Sequence, residues 1–363
     1  MGRGDMGRAD MGVSGGVVGW DVGGVHLKAA RADDHRIVKI VQIAAPLRAG
    51  LERLTEAFED AKAQIGAAQH HAVTMTGELA DTFASRPEGV ERLSALAAEQ
   101  LTGTPVLVYA GPAGLVRPQD AAKHAAHVAS ANWHVCARWV AGRHASALFV
   151  DMGSTTTDII PISDGRIVAR GYTDAQRLAA GELVYTGLVR GFVMATAARA
   201  PIGGAWTPLI NENFATMADV HRILGTLSEG ADKMATADGR EKTVAASRAR
   251  LARMVGADAA DIADPALRAL AQWFAEAQLR AIVDAAMLVV SAAAVPADAP
   301  LVGAGIGTAV IAEVARRLGH PYVAFDSLIE GAPDARAAAV HCAPAAALAL
   351  LAPSLIADSK DRP

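Results

Sequence analysis

The aspartates and glycines of this chain that could do chemistry come in two matching sets. Val17-Val18-Gly19-Trp20-Asp21-Val22-Gly23-Gly24 leads through Lys28 to Asp34-His35-Arg36-Ile37-Val38. Ala147-Leu148-Phe149-Val150-Asp151-Met152-Gly153-Ser154 leads through Asp158 to Asp164-Gly165-Arg166-Ile167-Val168. At a constant offset of 130, Asp21 falls on Asp151, Gly23 on Gly153 and Asp34 on Asp164. A carboxylate beside a glycine turn suits a metal-bound polyphosphate. Glycines let backbone N–H groups approach phosphate oxygens without a Cβ in the way. Mg²⁺ keeps most of its waters and binds through one or two carboxylates plus phosphate.

Each copy reads as a buried strand ending in Asp-x-Gly, a tight turn, a second strand, an Asp-containing turn and the start of a third strand. One Asp-x-Gly alone is ordinary turn chemistry. Two in the same frame, followed by a third glycine element at Gly303-Ala304-Gly305, point to a ligand site. Between the copies the pattern alternates. A helix spans Leu47 to Ile65, a strand His71 to Thr76, and a second helix opens at Pro87 and runs to Leu101. Val106–Tyr109 is a strand, and the stretch from Pro118 to Ala141 is mostly helical. After the second copy come loops and helices, with a polar run from position 229 to Arg253 that reads as surface. Asp264-Pro265 places an N-cap and a first-turn proline at the head of a long helix. Pro300–Gly307 is a strand entering a glycine turn, a helix covers Thr308 to Leu318, Tyr322–Phe325 is the last strand and Pro344 to Leu351 the last helix.

These duplicated motifs resemble those of the actin and sugar-kinase superfamily, and the resemblance implies an α/β fold: two ribonuclease-H-like lobes built from duplicated βββαβα units, with a cleft between them and the Asp21 and Asp151 turns on its facing walls. The expected division is a flexible N-terminal tail at 1–16, a first lobe at 17–145, a second lobe at 146–355 carrying a helical insertion at about 205–260, and a C-terminal tail at 356–363.

With 363 residues, 52% of them hydrophobic and 20% charged, the chain is long enough for two cored domains. A formal net charge of −4 gives no basic field for nucleic acid. Cys136 and Cys342 fit neither a disulfide framework nor metal-ligand spacing, so a reducing cytoplasm is expected. The apolar stretch from Ala285 to Pro296 is too short to span a bilayer, and the N-terminal residues lack the apolar core of a signal peptide. The expected partners are small molecules, with neither nucleic acid nor membrane; a homo-oligomer is compatible with the sequence.

Two Asp-x-Gly turns in duplicated halves and a late Gly-x-Gly before a helix resemble the superfamily of actin, heat-shock chaperone ATPases, and sugar and acetate kinases. The motifs that carry the likeness are Asp21-Val22-Gly23-Gly24-Val25-His26-Leu27-Lys28 and Asp151-Met152-Gly153-Ser154-Thr155-Thr156-Thr157-Asp158. Gly181-Glu182-Leu183-Val184-Tyr185-Thr186-Gly187 and Ala215-Thr216-Met217-Ala218-Asp219-Val220 are similar to segments of its hydantoinase A/oxoprolinase branch. Thr74-Met75-Thr76-Gly77-Glu78-Leu79-Ala80-Asp81, Ala131-Asn132-Trp133 and Arg250-Leu251-Ala252-Arg253-Met254-Val255-Gly256 resemble short proteins of tetrahydromethanopterin-linked C1 metabolism. The resemblance covers roughly Val17 to Leu351.

That subfamily includes a methanofuran-pathway synthase, which joins an (aminomethyl)furanylmethyl diphosphate to the phenol of a tyramine derivative and releases pyrophosphate. The resemblance therefore implies a transferase forming an aryl-alkyl ether, with tyramine or tyrosine, glutamylated or not, as acceptor. An ATP-dependent kinase or hydantoinase/oxoprolinase-type enzyme is the alternative, and a non-catalytic nucleotide-sensing assembly protein the third reading. Val25 stands where the superfamily has threonine, and Gly303-Ala304-Gly305 where it has three glycines packing adenine, so ATP is the less favoured ligand. On the favoured reading Asp21 and Asp151 hold Mg²⁺, and Lys28 and the N–H groups around Gly23, Gly24 and Gly153 receive phosphate. Ser154, Thr155, Thr156 and Thr157 offer hydroxyls, and Gly303 and Gly305 complete the binding set. Glu78 and Asp81 are the candidate bases for the phenol, or else cap a helix. Glu182 is a similar candidate that could instead close a loop. His26 reads as a strand residue. Tyr185 and Trp133 could stack on a flat ring, with a core or interface role favoured for Trp133.

Overall fold

The computed structural model describes residues 16–360 apart from positions 229 and 294, with the side chains of 359 and 360 also left aside. The tail expected at 1–16 therefore lies almost wholly outside the described residues. Two compact units emerge. The first takes the chain up to Ala131 together with Glu330–Ala335 and the segment from Pro344 on; the second takes Asn132–Ile329 and Arg336–Ala343.

The first unit holds one sheet made from β1 (Val17–Val22), β2 (His26–Asp33), β3 (Arg36–Ala44), β4 (His70–Met75), β5 (Val106–Tyr109) and β6 (Leu115–Val116), in the order β3-β2-β1-β4-β5-β6. β1 is buried along its whole length, as a central strand covered on both faces must be. It pairs antiparallel with β2 and parallel with β4. Trp20 anchors the core, 5.2 Å from the Phe58 ring, and donates from Nε1 to His71 Nδ1 at 3.1 Å.

The second unit repeats this order. β7 (Ala147–Met152), β8 (Thr157–Ser163), β9 (Arg166–Ile167), β10 (Leu183–Val184), β13 (Leu301–Gly305) and β14 (Tyr322–Ala324) form a sheet ordered β10-β8-β7-β13-β14, with β9 also on β8. β7 is antiparallel to β8 and parallel to β13, as β1 is to β2 and β4. Both units thus have the ribonuclease-H-like arrangement. The second Asp of each repeat is turn chemistry. Asp34 and His35 have φ of 46° and 60°, Asp164 and Gly165 of 51° and 67°. Two consecutive positive φ values in a two-residue hairpin make a type I′ turn, which favours Asp, Asn and Gly.

The division differs from the expected boundary at 145/146. Helix Asn132–Ala141 packs on β7, β8 and β9 and so joins the second unit. The closing helix, Ala343–Lys360, packs on the first sheet: a Cβ on Gly19 would run into the backbone of Ala345 and Ala349. That helix also makes positions 356–360 of the expected C-terminal tail helical; the rest of the tail lies outside the described residues.

The insertion begins earlier than 205, with the hairpin β11 (Arg199–Ile202) and β12 (Ala205–Pro208), and continues through helices Met217–Leu224 and Val244–Arg253. It has its own core around Val193, Met217, Val220, Leu251 and Phe274. The polar run read as surface is not all surface. Arg250 is fully buried and donates from Nε and Nη2 to Asp219 Oδ1 at 2.9 and 2.7 Å.

Among the described residues no single helix is long and apolar enough to cross a membrane. Pro333–His341 and Ala343–Asp358 reach that length only as a pair bent by 111°.

Candidate functional site

β1 carries Asp21 to the end of the first sheet's central strand, where the antiparallel ladder sets it opposite Lys28. Lys28 Nζ lies 3.8 Å from Asp21 Oδ2. Burial pushes the Asp21 carboxyl up from the usual carboxylate range, and Lys28 works against that rise. The other oxygen, Oδ1, is buried and has no hydrogen-bond donor among the described residues. The following turn is held by its carbonyls. Gly23 N–H closes on His26 O at 3.0 Å, while Leu47 and Ala45 donate to Gly24 O and Val25 O at 3.0 and 2.7 Å. A trans peptide sets N–H and C=O on opposite edges, so the bond to Gly24 O turns the Val25 N–H the other way. Among the described residues nothing lies within 4 Å of where a Cβ on Gly24 would stand.

The second unit builds its turn from more distant segments. Gly153 N–H closes on Thr156 O at 2.9 Å, Leu188 donates to Gly153 O at 3.0 Å, and Val189 and Arg190 donate to Ser154 O at 3.2 and 2.8 Å. By the same peptide geometry the N–H groups of Ser154 and Thr155 face away from the 188–190 segment. From the other side β13 presses on the strand end. Gly305 has φ +86°, and a Cβ there would collide with Met152 O and Asp151 Oδ1. Gly307 donates to Met152 O at 3.0 Å. Asp151 is half-buried, as are Ser154, Thr155 and Thr156.

Not every candidate faces a ligand. Thr157 is buried and donates its hydroxyl to Thr186 O at 2.7 Å, so that hydroxyl is already used within the protein. Gly303 is a packing glycine: a Cβ there would sit 2.6 Å from the Tyr322 ring. Glu78 is buried and accepts from Ser130 Oγ at 2.8 Å. Asp81 is exposed in a turn and does not cap the helix that follows, Arg86–Gln100, which is capped by Ser85. Glu182 closes a loop, accepting from the N–H groups of Arg170 and Gly171 at 2.6 and 2.9 Å. His26 opens β2 as a strand residue, and Tyr185 is exposed. Trp133 is a core residue with Arg177 stacked 4.4 Å from its ring centroid.

Arg177 had no signature in the sequence. It is buried, donates to Asp158 Oδ1 and, at 3.1 Å, to Glu182 O. Burial pushes the Asp158 carboxyl up, and Arg177 opposes it. The 188–190 strap over the second turn was likewise unmarked, since its contacts are made by backbone.

Both turns fit a hard cation. Asp21 supplies a buried carboxylate oxygen that has no donor among the described residues, and Asp151 a half-buried carboxylate. Among the described residues no group of three or more His, Cys, Asp or Glu could hold a metal ion. A Mg²⁺ held by either carboxylate would draw its remaining ligands from phosphate and water, as Mg²⁺ commonly does.

The hydantoinase/oxoprolinase family model matches residues 69–352, a span that includes the second turn and begins after the first. The chain is 32% identical over 252 residues to the (4-{4-[2-(gamma-L-glutamylamino)ethyl]phenoxymethyl}furan-2-yl)methanamine synthase of Methanocaldococcus jannaschii, covering 69% of this chain and 74% of that protein. It is 34% identical over 113 residues to the synthase of the same name from Methanococcus vannielii, covering 31% of this chain and 50% of that protein. Among solved structures, nucleotide-free acetone carboxylase aligns with a TM-score of 0.55 at 13% identity, over 84% of this chain and 67% of that one, a likeness of fold.

Proposed function

The chain belongs to the hydantoinase/oxoprolinase family, and on that premise we propose that it is a transferase of methanofuran-type cofactor biosynthesis. It condenses an (aminomethyl)furanylmethyl diphosphate with the phenol of a tyramine- or tyrosine-type acceptor and releases pyrophosphate. The observation that carries this reading is the bond in the name of the 32% identical relative, a phenoxymethyl link between a phenol ring and a furan.

Forming that link breaks the bond between the furanylmethyl carbon and the diphosphate oxygen, joins the carbon to the phenol oxygen, and passes the phenolic proton to a base. The furan ring spreads positive charge from the reacting carbon, so little nucleophilic push is required. The larger task is to receive negative charge as pyrophosphate departs, which preorganised donors do well. The N–H groups of Val25, Ser154 and Thr155, the Thr156 hydroxyl, one hydroxyl of the mutually bonded Ser154–Thr155 pair, and the Lys28 ammonium are donors of that kind. Asp21 and Asp151 are the residues that would hold Mg²⁺, which when bound supplies charge neutralisation on the leaving group. A phenol with an ordinary pKa of about 10 benefits from a base. Exposed Asp81 is the candidate that can meet an acceptor directly, whereas buried Glu78 is engaged by Ser130.

ATP is the less favoured ligand, because Val25 brings no hydroxyl to the first turn and Gly303 is packed against Tyr322. The test is mass spectrometry of products after feeding the furanylmethyl diphosphate and Mg²⁺ with tyramine, tyrosine and their glutamyl forms, without nucleotide. Ether and pyrophosphate in equal amounts are expected. ADP release stimulated by these acceptors, or ether formation only with ATP, overturns the reading in favour of a kinase or hydantoinase-type enzyme.

A further inference from the structure

Behind the strap on the second turn lies a directed chain of side-chain hydrogen bonds reaching into the insertion. Gln278 is buried on helix Asp264–Ala293. Its Nε2 donates to Thr186 Oγ1 at 2.8 Å and to Gly187 O at 2.9 Å. A carbonyl can only accept, so the amide orientation is fixed and Oε1 faces His221 Nε2, 2.9 Å away on helix Met217–Leu224. His221 Nε2 must therefore carry the proton, leaving Nδ1 to accept from Thr226 Oγ1 at 2.9 Å. Burial favours this neutral imidazole by pushing its pKa down.

Gly187, which Gln278 holds, lies flat against the second turn. A Cβ on it would stand 2.5 Å from Thr155 N and 2.6 Å from the Ser154 carbonyl carbon. The next three residues make the bonds to Gly153 O and Ser154 O, and helix Met217–Leu224 secures the strap's far end: Ala218 donates to Val189 O at 3.1 Å and Met217 to Gly191 O at 2.8 Å. The two segments 181–187 and 215–220 therefore meet at the strap.

We propose that Gln278, held by His221, is a positioning residue that fixes segment 186–190 on the second turn and so aims the Ser154 and Thr155 N–H groups at a diphosphate. This rests on the proposed function for the ligand, but not for the positioning. It makes the insertion a support of the turn. Losing the single buried neutral bond between Gln278 and Thr186 should weaken anion capture by about five- to tenfold, and losing all three bonds of Gln278 by at least as much.

The experiment is hydrogen exchange of peptides spanning 153–157 and 186–190, with and without pyrophosphate and Mg²⁺, in wild type, Gln278→Met, Thr186→Val and Thr186→Ser. Thr186→Val keeps the side-chain shape and serves if Gln278→Met fails to fold. The expected result is faster exchange in both peptides, with protection by pyrophosphate about five- to tenfold weaker in Thr186→Val and at least as much weaker in Gln278→Met, and with Thr186→Ser restored to wild-type behaviour. Exchange and protection unchanged in folded Gln278→Met and Thr186→Val would overturn the positioning role. Faster exchange in those two variants without pyrophosphate protection in any form, wild type included, would keep the positioning and overturn the diphosphate reading.

Discussion

Asp158 stands directly across the β7–β8 ladder from Asp151, in the place where β2 sets Lys28 across from Asp21. The repeat thus preserves the first carboxylate and reverses the charge of its neighbour. In the first unit Lys28 compensates Asp21; in the second, Asp158 takes the position opposite Asp151 and is paired with buried Arg177. Asp158→Asn leaves the Arg177 guanidinium buried without its counter-ion and should destabilise the protein by about 3–5 kcal/mol. Combining it with Arg177→Met should recover much of the loss. Guanidinium unfolding of both single variants and the double variant checks this; simple addition of the two losses would contradict a paired role.

Asp21→Asn and Asp151→Asn should each lower kcat on the order of 10²–10³-fold while the protein stays folded, because charge on the departing pyrophosphate is greatest in the transition state. The double variant should lose far less than the product of the two effects if both carboxylates serve one metal, and chelation with EDTA should abolish turnover of wild type. Asp34→Asn and Asp164→Asn are suitable controls, since asparagine accepts the positive φ of those turns. Wild-type rates for the Asp21 and Asp151 variants across a Mg²⁺ titration would show that the duplicated turns are structural.

The fold was legible because its repeat is written in residues that secondary structure itself demands. Asp-x-Gly at strand ends and Asp at the I′ hairpins survive in both copies, and strands β1 and β7 are apolar along most of their length. The assignment of elements to units was not legible, since only packing decides it: Gly19 makes room for the last helix, and nothing near position 19 says so. At the site, glycines at 303 and 305 look alike in sequence, yet one accommodates the Tyr322 ring and the other a carboxylate and a carbonyl. Gln278 did leave a trace, a polar residue on the stripe formed by Leu267, Leu270, Phe274, Ile282 and Ala286. The partners that explain it, Thr186 and Gly187, lie about ninety positions away.

The two I′ hairpins differ in one residue that can be exchanged. His35 carries φ 60° where the second copy has Gly165 at 67°. An L-residue pays about 1–2 kcal/mol for that conformation, partly offset by the extra unfolded-state entropy of glycine. His35→Gly should therefore stabilise by about 0.5–1 kcal/mol, and Gly165→His should destabilise by a similar amount. Differential scanning calorimetry would read these as opposite shifts of Tm; shifts of the same sign would mean that side-chain contacts, not φ, govern the turns.

His71 gives the fold a defined acid sensitivity. It accepts the Trp20 indole hydrogen bond on Nδ1 at 3.1 Å, which requires an unprotonated ring nitrogen. Burial, with His70 and Lys62 adding smaller pushes, lowers its pKa from 6.5 to about 4. Between those values the unfolded chain takes up a proton that the folded chain refuses. Stability should therefore be full above pH 6.5 and fall as the pH drops toward 4, by up to about 1.4 kcal/mol per pH unit from this group. His221, also held neutral by burial, contributes with the same sign. His71→Gln keeps an acceptor for Trp20 but cannot titrate, so its unfolding midpoint should depend less on pH across that window while approaching the wild-type slope above it. Denaturant titrations at pH 4.5, 5.5, 6.5 and 7.5 measure the difference, and parallel profiles for the two proteins would rule out His71 as the source.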